Sequence, residues 1–540
     1  MLYHHALARA LWESGTNTVF GVLGDANLFA IDSFRREFGG RFVSMSHEGG
    51  AVLAAAGYSA TSPGLGVATV THGPALTNTV TALVDAARSR TPLLLIAGDT
   101  DPADQENLQN IDQHAVVAPT GAGWEPARRP ETVAEDLERA ARRALAERRP
   151  VVLDIPVGFQ WADLATPPRS LGALTDYRPA ATGVPIESID AAAGLLAAAR
   201  RPIVLAGRGA LGARAELEHL AAVLGAPVAT TLRGKGLFRG NPHDIGIFGT
   251  LSHDVALEVI QRADTVIAFG AGLTAWTTDK GALLENRRVV RVDTDPANLA
   301  FRPAVDVSVW GDAATVARAL TAALGETGTA PTGFASAELG QALRDRAARQ
   351  RQTPPVTGID LVCALRTIDD EFDRERTLVI DDGRFIITGF RELSAPDPAA
   401  YVHTCSFASI GLAVASAVGA QIGRPQRPVL VVCGDGGFMS AGINELSTAV
   451  RHGVDMVVVV VNDNAYGAEY MQFRTRSMDP AISTFDWPSF AAIAEAVGAI
   501  GIEVVDHRGL DHALRMVAER DRPVLIDLRV DPDNVPTPGY

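Results

Sequence analysis

Short apolar runs rich in valine, isoleucine and leucine recur along the chain, separated by longer stretches in which apolar positions follow helical spacing. Runs of this kind mark strands buried in parallel sheets, and the intervening stretches supply the crossover helices. The first third offers "NTVFGVL", "FVSMS", "GVATVTH", "PLLLIAG" and "PVVLDIPV". The middle third offers "PIVLAG", "PVATTL", "TVIAFG" and "VVRVDTD". The final third offers "TLVIDDG", "VLVVCGDG", "MVVVVVN", "GIEVV" and "PVLIDLRV". "RPVVLDIPV" (149–157) and "RPVLIDLRV" (522–530) close the outer thirds alike, as two related domains would. Proline- and alanine-rich stretches near 164–185 and 325–340 read as linkers. The pattern predicts an α/β protein of three doubly wound parallel-sheet domains, 1–170, 185–325 and 355–540.

Composition narrows the function more than the fold. A chain of 540 residues exceeds one hydrophobic core, in keeping with three domains. A net charge of -15 without a basic stripe argues against a nucleic-acid partner. The three cysteines, Cys363, Cys405 and Cys433, are scattered and odd in number, so they read as core thiols in a reducing compartment. The start "MLYHHALARALWESG" has no uninterrupted apolar stretch for a signal peptide, and no segment is long enough to span a bilayer. A cytoplasmic enzyme is expected.

Two of the most apolar strands run out into carboxylates a helix apart, "VLVVCGDGG" at Asp435 and "MVVVVVNDNAYG" at Asp463. Strand carboxyl ends are where ligands bind in open parallel sheets. Gly436 and Gly437 let the backbone approach a ligand, and the amides of the helix that follows face a phosphate. Two hard carboxylates completed by phosphate oxygens describe Mg²⁺. A glycine turn with a capping aspartate explains "GDG" alone, but not its pairing with "NDN".

"GDGG…NDN" resembles the diphosphate motif of thiamine-diphosphate-dependent enzymes. "SHEGGAVLAAAGYSATSPGLGVATVTHGPALTN" is similar to their amino-terminal pyrimidine-binding domain, and "RPIVLAGRGAL" with "TTLRGKGLFRGNPHDIGIFGT" to their middle domain. The resemblance covers nearly the whole chain and is strongest to the acetolactate synthase/benzoylformate decarboxylase branch. It implies a third, diphosphate-binding domain, bound thiamine diphosphate and Mg²⁺, and a homodimer or homotetramer with active sites between subunits. By the resemblance Asp435, Asp463 and the Ala465 carbonyl are the metal ligands, with Asn462 the alternative. Asp463 stands where the family has asparagine. Gly434, Gly436, Gly437 and Tyr466 belong with the cofactor. Ile410, between Ser409 and Gly411, props it into a bent shape, and Gly383, Arg384 and Phe385 fall near the diphosphate or substrate.

Glu48 opens an alanine-rich helix, and an apolar setting would raise its pKa so that it shares a proton with a weakly basic ring nitrogen. The resemblance gives it the role of activating the aminopyrimidine. Dipole complementarity is the plainer reading of a glutamate at a helix start. His72, in "THGPALTN", is a candidate proton shuttle or simply a loop histidine; Asn78 matches the motif there and Ala75 replaces its usual glycine. Glu469 stands where pyruvate-decarboxylase-like members protonate their intermediate. Asp25 and Asn27 in "GVLGDANLF", with Gln109 and Gln113 in "DQENLQNIDQHAV", are the candidate pocket residues. The paired histidines of those decarboxylases are absent, and "TGAG" replaces the lysine of biosynthetic acetolactate synthases.

The reading is therefore a 2-oxo acid decarboxylating carboligase that forms a hydroxyketone with a second carbonyl compound. Simple decarboxylation to an aldehyde is the alternative, and carbon–carbon lyase chemistry a further one. "GRGALG" (207–212) matches the dinucleotide pattern after a strand, but no acid follows at the spacing that pattern needs, so a nicotinamide enzyme is disfavoured. FAD in the middle domain is left open by the resemblance, with nothing in the residues to support it. A catalytically silent paralogue conflicts with the retention of Glu48 and Asp435.

Overall fold

The structure is a computed structural model that describes residues 1–104, 106–174, 183–300, 305–350 and 358–536. Part of the first expected linker, 175–182, and the start of the third expected domain lie outside the described residues. The described strands make three parallel sheets, each six-stranded. The first holds β1 (Thr18–Gly21), β2 (Arg41–Ser44), β3 (Gly66–Val70), β4 (Leu93–Asp99), β5 (Gly123–Pro126) and β6 (Pro150–Pro156). The second holds β7 (Pro202–Ala206), β8 (Val228–Thr230), β9 (Asp244–Ile247), β10 (Thr265–Phe269), β11 (Arg288–Asp293) and β12 (Val307–Trp310). The third holds β13 (Thr377–Ile380), β14 (Tyr401–His403), β15 (Val429–Gly434), β16 (Met456–Asn462), β17 (Ile500–Val504) and β18 (Val524–Arg529).

The outer sheets share one topology, β2-β1-β3-β4-β6-β5 and β14-β13-β15-β16-β18-β17. The echo between residues 149–157 and 522–530 is thus the matching strand of each, β6 and β18. The middle sheet runs β12-β11-β10-β7-β8-β9, the order of a dinucleotide-type fold. In the third sheet the chain reverses direction of growth between β13 and β15, which opens a crevice at their carboxyl ends. β15 and β16 are buried almost throughout because valines on both faces are covered by helices.

One apolar core joins the first and third domains. At its centre the helix Glu48–Thr61 crosses the helix Ala413–Gly423. Both are rich in alanine and glycine, so their backbones approach closely. A methyl group on Gly57 would run into the Ser416 carbonyl, and one on Gly419 into the Ala54 carbonyl. Thr61 Oγ1 donates to the Ala420 carbonyl across this contact at 2.9 Å. The crossing fixes the start of each helix, where Glu48 and the Ile410 turn lie.

In the middle domain the first two glycines of "GRGALG", Gly207 and Gly209, serve packing. Gly207 donates to the Phe269 carbonyl at 2.8 Å, and any Cβ on Gly207 would strike the Gly270 backbone. The turn is closed against the neighbouring strand end.

Candidate active site

The carboxyl ends of β13, β15 and β16 open onto a cavity of about 900 Å³. Asp435 follows β15 directly and begins the helical run that continues, through a π turn at Phe438–Gly442, into the helix Ile443–Arg451. Asp435 is 2% exposed and takes three hydrogen bonds. Its Oδ1 accepts from Gly436 N at 2.7 Å, while Oδ2 accepts from Ala465 N at 3.1 Å and Trp487 Nε1 at 3.0 Å. Asp463, after β16, is also buried and accepts from Ala465 N at 3.2 Å. Burial pushes the Asp435 carboxyl up to about 6. Burial, with the charge of Asp435, pushes Asp463 up to about 7. Two carboxylates that resist ionising together are what a divalent cation would relieve, and their hard oxygens suit Mg²⁺. Among the described residues no group of three or more His, Cys, Asp or Glu side chains could hold a metal. A set of two carboxylates and a backbone carbonyl needs none.

Asn462 is turned away from the cavity. Its Nδ2 donates to Asp527 at 2.7 Å and its Oδ1 accepts from Asn464 N at 3.2 Å, so the side chain is spent inside the domain. Asn464 has φ 53°, and this left-handed turn brings Ala465 under Asp435.

Gly434, Gly436 and Gly437 line the cavity. A Cβ on Gly436 would come within 2.6 Å of the Tyr466 ring, and one on Gly437 within 2.9 Å of Asp381 Oδ2. Ile410 also lines it, 38% exposed, in the turn before the helix Ala413–Gly423 rather than inside a helix. Ser409, beside it, points its hydroxyl to the Ile410 carbonyl at 3.3 Å. Asp381, which the sequence reading passed over, pins this turn: it accepts from Gly411 N at 2.8 Å and Leu412 N at 3.2 Å. Gly383, Arg384 and Phe385 line the cavity as well. The Arg384 guanidinium donates to the carbonyls of Pro532 and Val535, tying the carboxy-terminal segment to the rim. Glu469 lines the cavity from the first turn of the helix Gly467–Thr475.

No residue of the first domain lines this cavity. Glu48 starts its helix behind a His47 cap, and its Oε2 accepts from Asn78 Nδ2 at 3.0 Å. It is only partly buried, so its own chain does not supply the apolar enclosure expected for it. His72 is 1% exposed, with Nδ1 3.2 Å from Thr71 Oγ1 and 3.7 Å from Asp25 Oδ1. Asp25 itself is exposed and accepts from Thr71 Oγ1 at 2.7 Å, so Thr71 links it to the buried imidazole.

Two expected pocket residues face inward. Asn27 is buried, accepting from Gly24 N at 2.9 Å and donating to the Val22 carbonyl at 3.1 Å. Gln113 accepts from Gly73 N at 2.8 Å and donates to the Gly98 carbonyl at 2.8 Å and to Asp154 at 2.7 Å. Both hold loops in place and present no free polar atom to a ligand. Gln109 is partly exposed, and its backbone packs on Gly73.

Comparison with known proteins gives this geometry its context. The amino-terminal TPP binding domain model of thiamine pyrophosphate enzymes matches residues 1–116, the central domain model 189–320 and the carboxy-terminal TPP binding domain model 382–528. The chain belongs to the thiamine pyrophosphate enzyme family. It is 32% identical to a probable 2-ketoarginine decarboxylase of Pseudomonas aeruginosa, over 97% of this chain and 93% of that protein. It is 28% identical to the acetolactate synthase large subunit of Corynebacterium glutamicum, over 98% of this chain and 86% of the relative. A probable acetolactate synthase large subunit of Methanocaldococcus jannaschii is 26% identical, over 98% of this chain and 91% of the relative. The cavity is thus that of a thiamine-pyrophosphate-dependent enzyme, and no helix among the described residues is long and apolar enough to cross a membrane.

Proposed function

We propose that this thiamine pyrophosphate enzyme is a Mg²⁺-dependent carboligase that decarboxylates a 2-oxo acid and joins the remaining fragment to a second carbonyl compound. The observation that carries the reading is the cavity of the third domain, walled by glycine backbone, Asp435, Asp463 and Ile410 but open where the first domain would close it. Asp435, Asp463 and the Ala465 carbonyl would hold the cation, and the helix-start amides beyond Gly436 would serve the diphosphate, since Gly436 N is already bonded to Asp435. Bound thiamine diphosphate supplies the electron sink that decarboxylation requires. Glu48 of a second copy of the chain, oriented by Asn78, would hold the proton shared with the ring nitrogen of the bound cofactor. Docking of that copy supplies the apolar enclosure that one chain lacks, so the working unit is a homodimer or a pair of dimers. Free Cys363, Cys405 and Cys433 suit a cytoplasmic enzyme.

Simple decarboxylation to an aldehyde is the second reading. Glu469 projects into the cavity, where it can return a proton to the substrate fragment. Asp99 at the end of β4 and Asp101, Asp104, Glu106 and Asp112 in the segment after it crowd together with no lysine or arginine among them, which favours a donor with a basic side chain. The relative named for 2-ketoarginine agrees with that choice.

Product analysis by mass spectrometry separates the readings. The protein is incubated with thiamine diphosphate, Mg²⁺ and a panel of 2-oxo acids, one bearing a guanidinium group, with and without an acceptor aldehyde or keto acid. A hydroxyketone absent from Glu48→Gln establishes the carboligase. Aldehyde alone, abolished by Glu469→Gln, establishes the decarboxylase. No turnover of any donor by cofactor-loaded protein refutes both and favours carbon–carbon lyase chemistry.

A further inference from the structure

The segment Ser483–Trp487 lies outside the motifs that define the site, yet it touches both acidic turns. Its backbone runs antiparallel to the Asp463 loop: Tyr466 N donates to the Ser483 carbonyl at 2.9 Å and Phe485 N to the Asn464 carbonyl at 2.8 Å. An isolated bridge pairs Ala465 with Thr484 between these bonds. At its end Trp487 Nε1 donates to Asp435 Oδ2 at 3.0 Å. One strip of chain therefore clamps the Asp463 turn through its backbone and the Asp435 turn through an indole.

The rings hold the indole in place. Trp487 stacks on Phe485 with centroids 4.4 Å apart and planes 19° from parallel. Phe485 meets Tyr466 edge-on at 4.7 Å, and Tyr466 walls the cavity. Tyr466 in turn closes on Gly436, where a Cβ would stand 2.6 Å from the ring. Of the donors to Asp435, Gly436 N and Ala465 N come from the turns that carry the acids, whereas Trp487 comes from this third segment. With two donors on Oδ2 and one on Oδ1, the carboxylate is fixed in one orientation and Oδ1 keeps the free lone pair.

We infer that Trp487 is a positioning residue for the divalent cation, orienting Asp435 so that Oδ1 faces the metal while the Tyr466–Phe485–Trp487 stack couples that orientation to the cavity wall. The inference rests on the proposed reading of Asp435 as a cation ligand. Hydrogen-bond partners of metal ligands typically change metal affinity by about 10–100-fold when removed.

The test titrates the full-length protein with Mg²⁺ at saturating thiamine diphosphate, followed by calorimetry. Trp487→Phe keeps an aromatic ring against Phe485 while removing the N–H donor together with part of the indole. Its metal-free unfolding midpoint should stay near that of the wild type while Mg²⁺ affinity falls about 10–100-fold. Equal affinity in the variant and the wild type overturns the inference and leaves the cation site standing. Absence of Mg²⁺ binding by the wild type overturns the underlying reading instead. Fluorine NMR of wild-type protein carrying 5-fluorotryptophan covers the case of a misfolded variant. Of the six tryptophan signals, one should move on Mg²⁺ addition, and a spectrum with no moving signal counts against the inference.

Discussion

Replacing Asp381 by asparagine should separate stability from cofactor binding, because the two depend on opposite properties of this carboxylate. Its burial is nearly complete, and burial pushes its pKa up to about 7 despite hydrogen bonds from Gly411 N and Leu412 N. In the unfolded chain the group titrates near 3.8. Below that value both states are protonated and the side chain contributes no pH dependence. Between 3.8 and about 7 the unfolded chain has released the proton and the folded chain retains it, so stability falls as pH rises. Above pH 7 the full penalty of about 4 kcal/mol applies, from roughly three units at about 1.4 kcal/mol each. Asparagine mimics the protonated form, so Asp381→Asn should gain on the wild type by up to about 4 kcal/mol between pH 4 and pH 8. The same substitution keeps one acceptor for two backbone donors. Leu412 N, the longer bond at 3.2 Å, loses its partner, which costs about 1–3 kcal/mol and loosens the Ile410 turn. Thiamine diphosphate should therefore bind at least about tenfold more weakly, the effect of about 1.4 kcal/mol lost. Urea unfolding at both pH values and calorimetric cofactor titration measure the two effects. A stability difference that is the same at pH 4 and pH 8, with unchanged cofactor affinity, would refute the reasoning.

Two further predictions concern the helix crossing and the subunit arrangement. Gly419→Ala drives a methyl into the Ala54 carbonyl and should cost about 1–3 kcal/mol in thermal unfolding while displacing Glu48; an unchanged melting temperature would mean the helices cross less closely than described. Glu48→Gln and Asp435→Asn should each be inactive alone. Mixed and reassembled, they should recover part of the wild-type rate, since one site in each hybrid then carries neither substitution; no recovery would place both residues in one chain's site.

The buried strands were legible because continuous valine and isoleucine runs leave few other interpretations. The strands that the sequence reading did not identify, β5, β9, β12 and β14, all sit at sheet edges. Three of them are half-exposed along most of their length, and β14 spans only Tyr401–His403. Such strands carry no unbroken apolar run. Asp435 and Asp463 were legible from their position at strand ends. The orientation of Asn27, Gln113 and Asn462 was not, because sequence does not tell whether a polar side chain serves a ligand or an unpaired backbone group nearby. Asp381 carried a usable signal as a strand-end acid two residues before Gly383. Trp487 carried none, since its partner is set by the path of a loop.

Exchange of the acidic carbon-bound proton of bound thiamine diphosphate with deuterated solvent, read by quenched-flow proton NMR, tests the central claim without knowledge of the substrate. Wild-type protein with Mg²⁺ should accelerate the exchange far above that of free cofactor, and Glu48→Gln should bind the cofactor yet lose the acceleration by orders of magnitude. Exchange in the wild type no faster than in free solution, or equal in the wild type and Glu48→Gln, would contradict the assignment of Glu48 and of the site it completes.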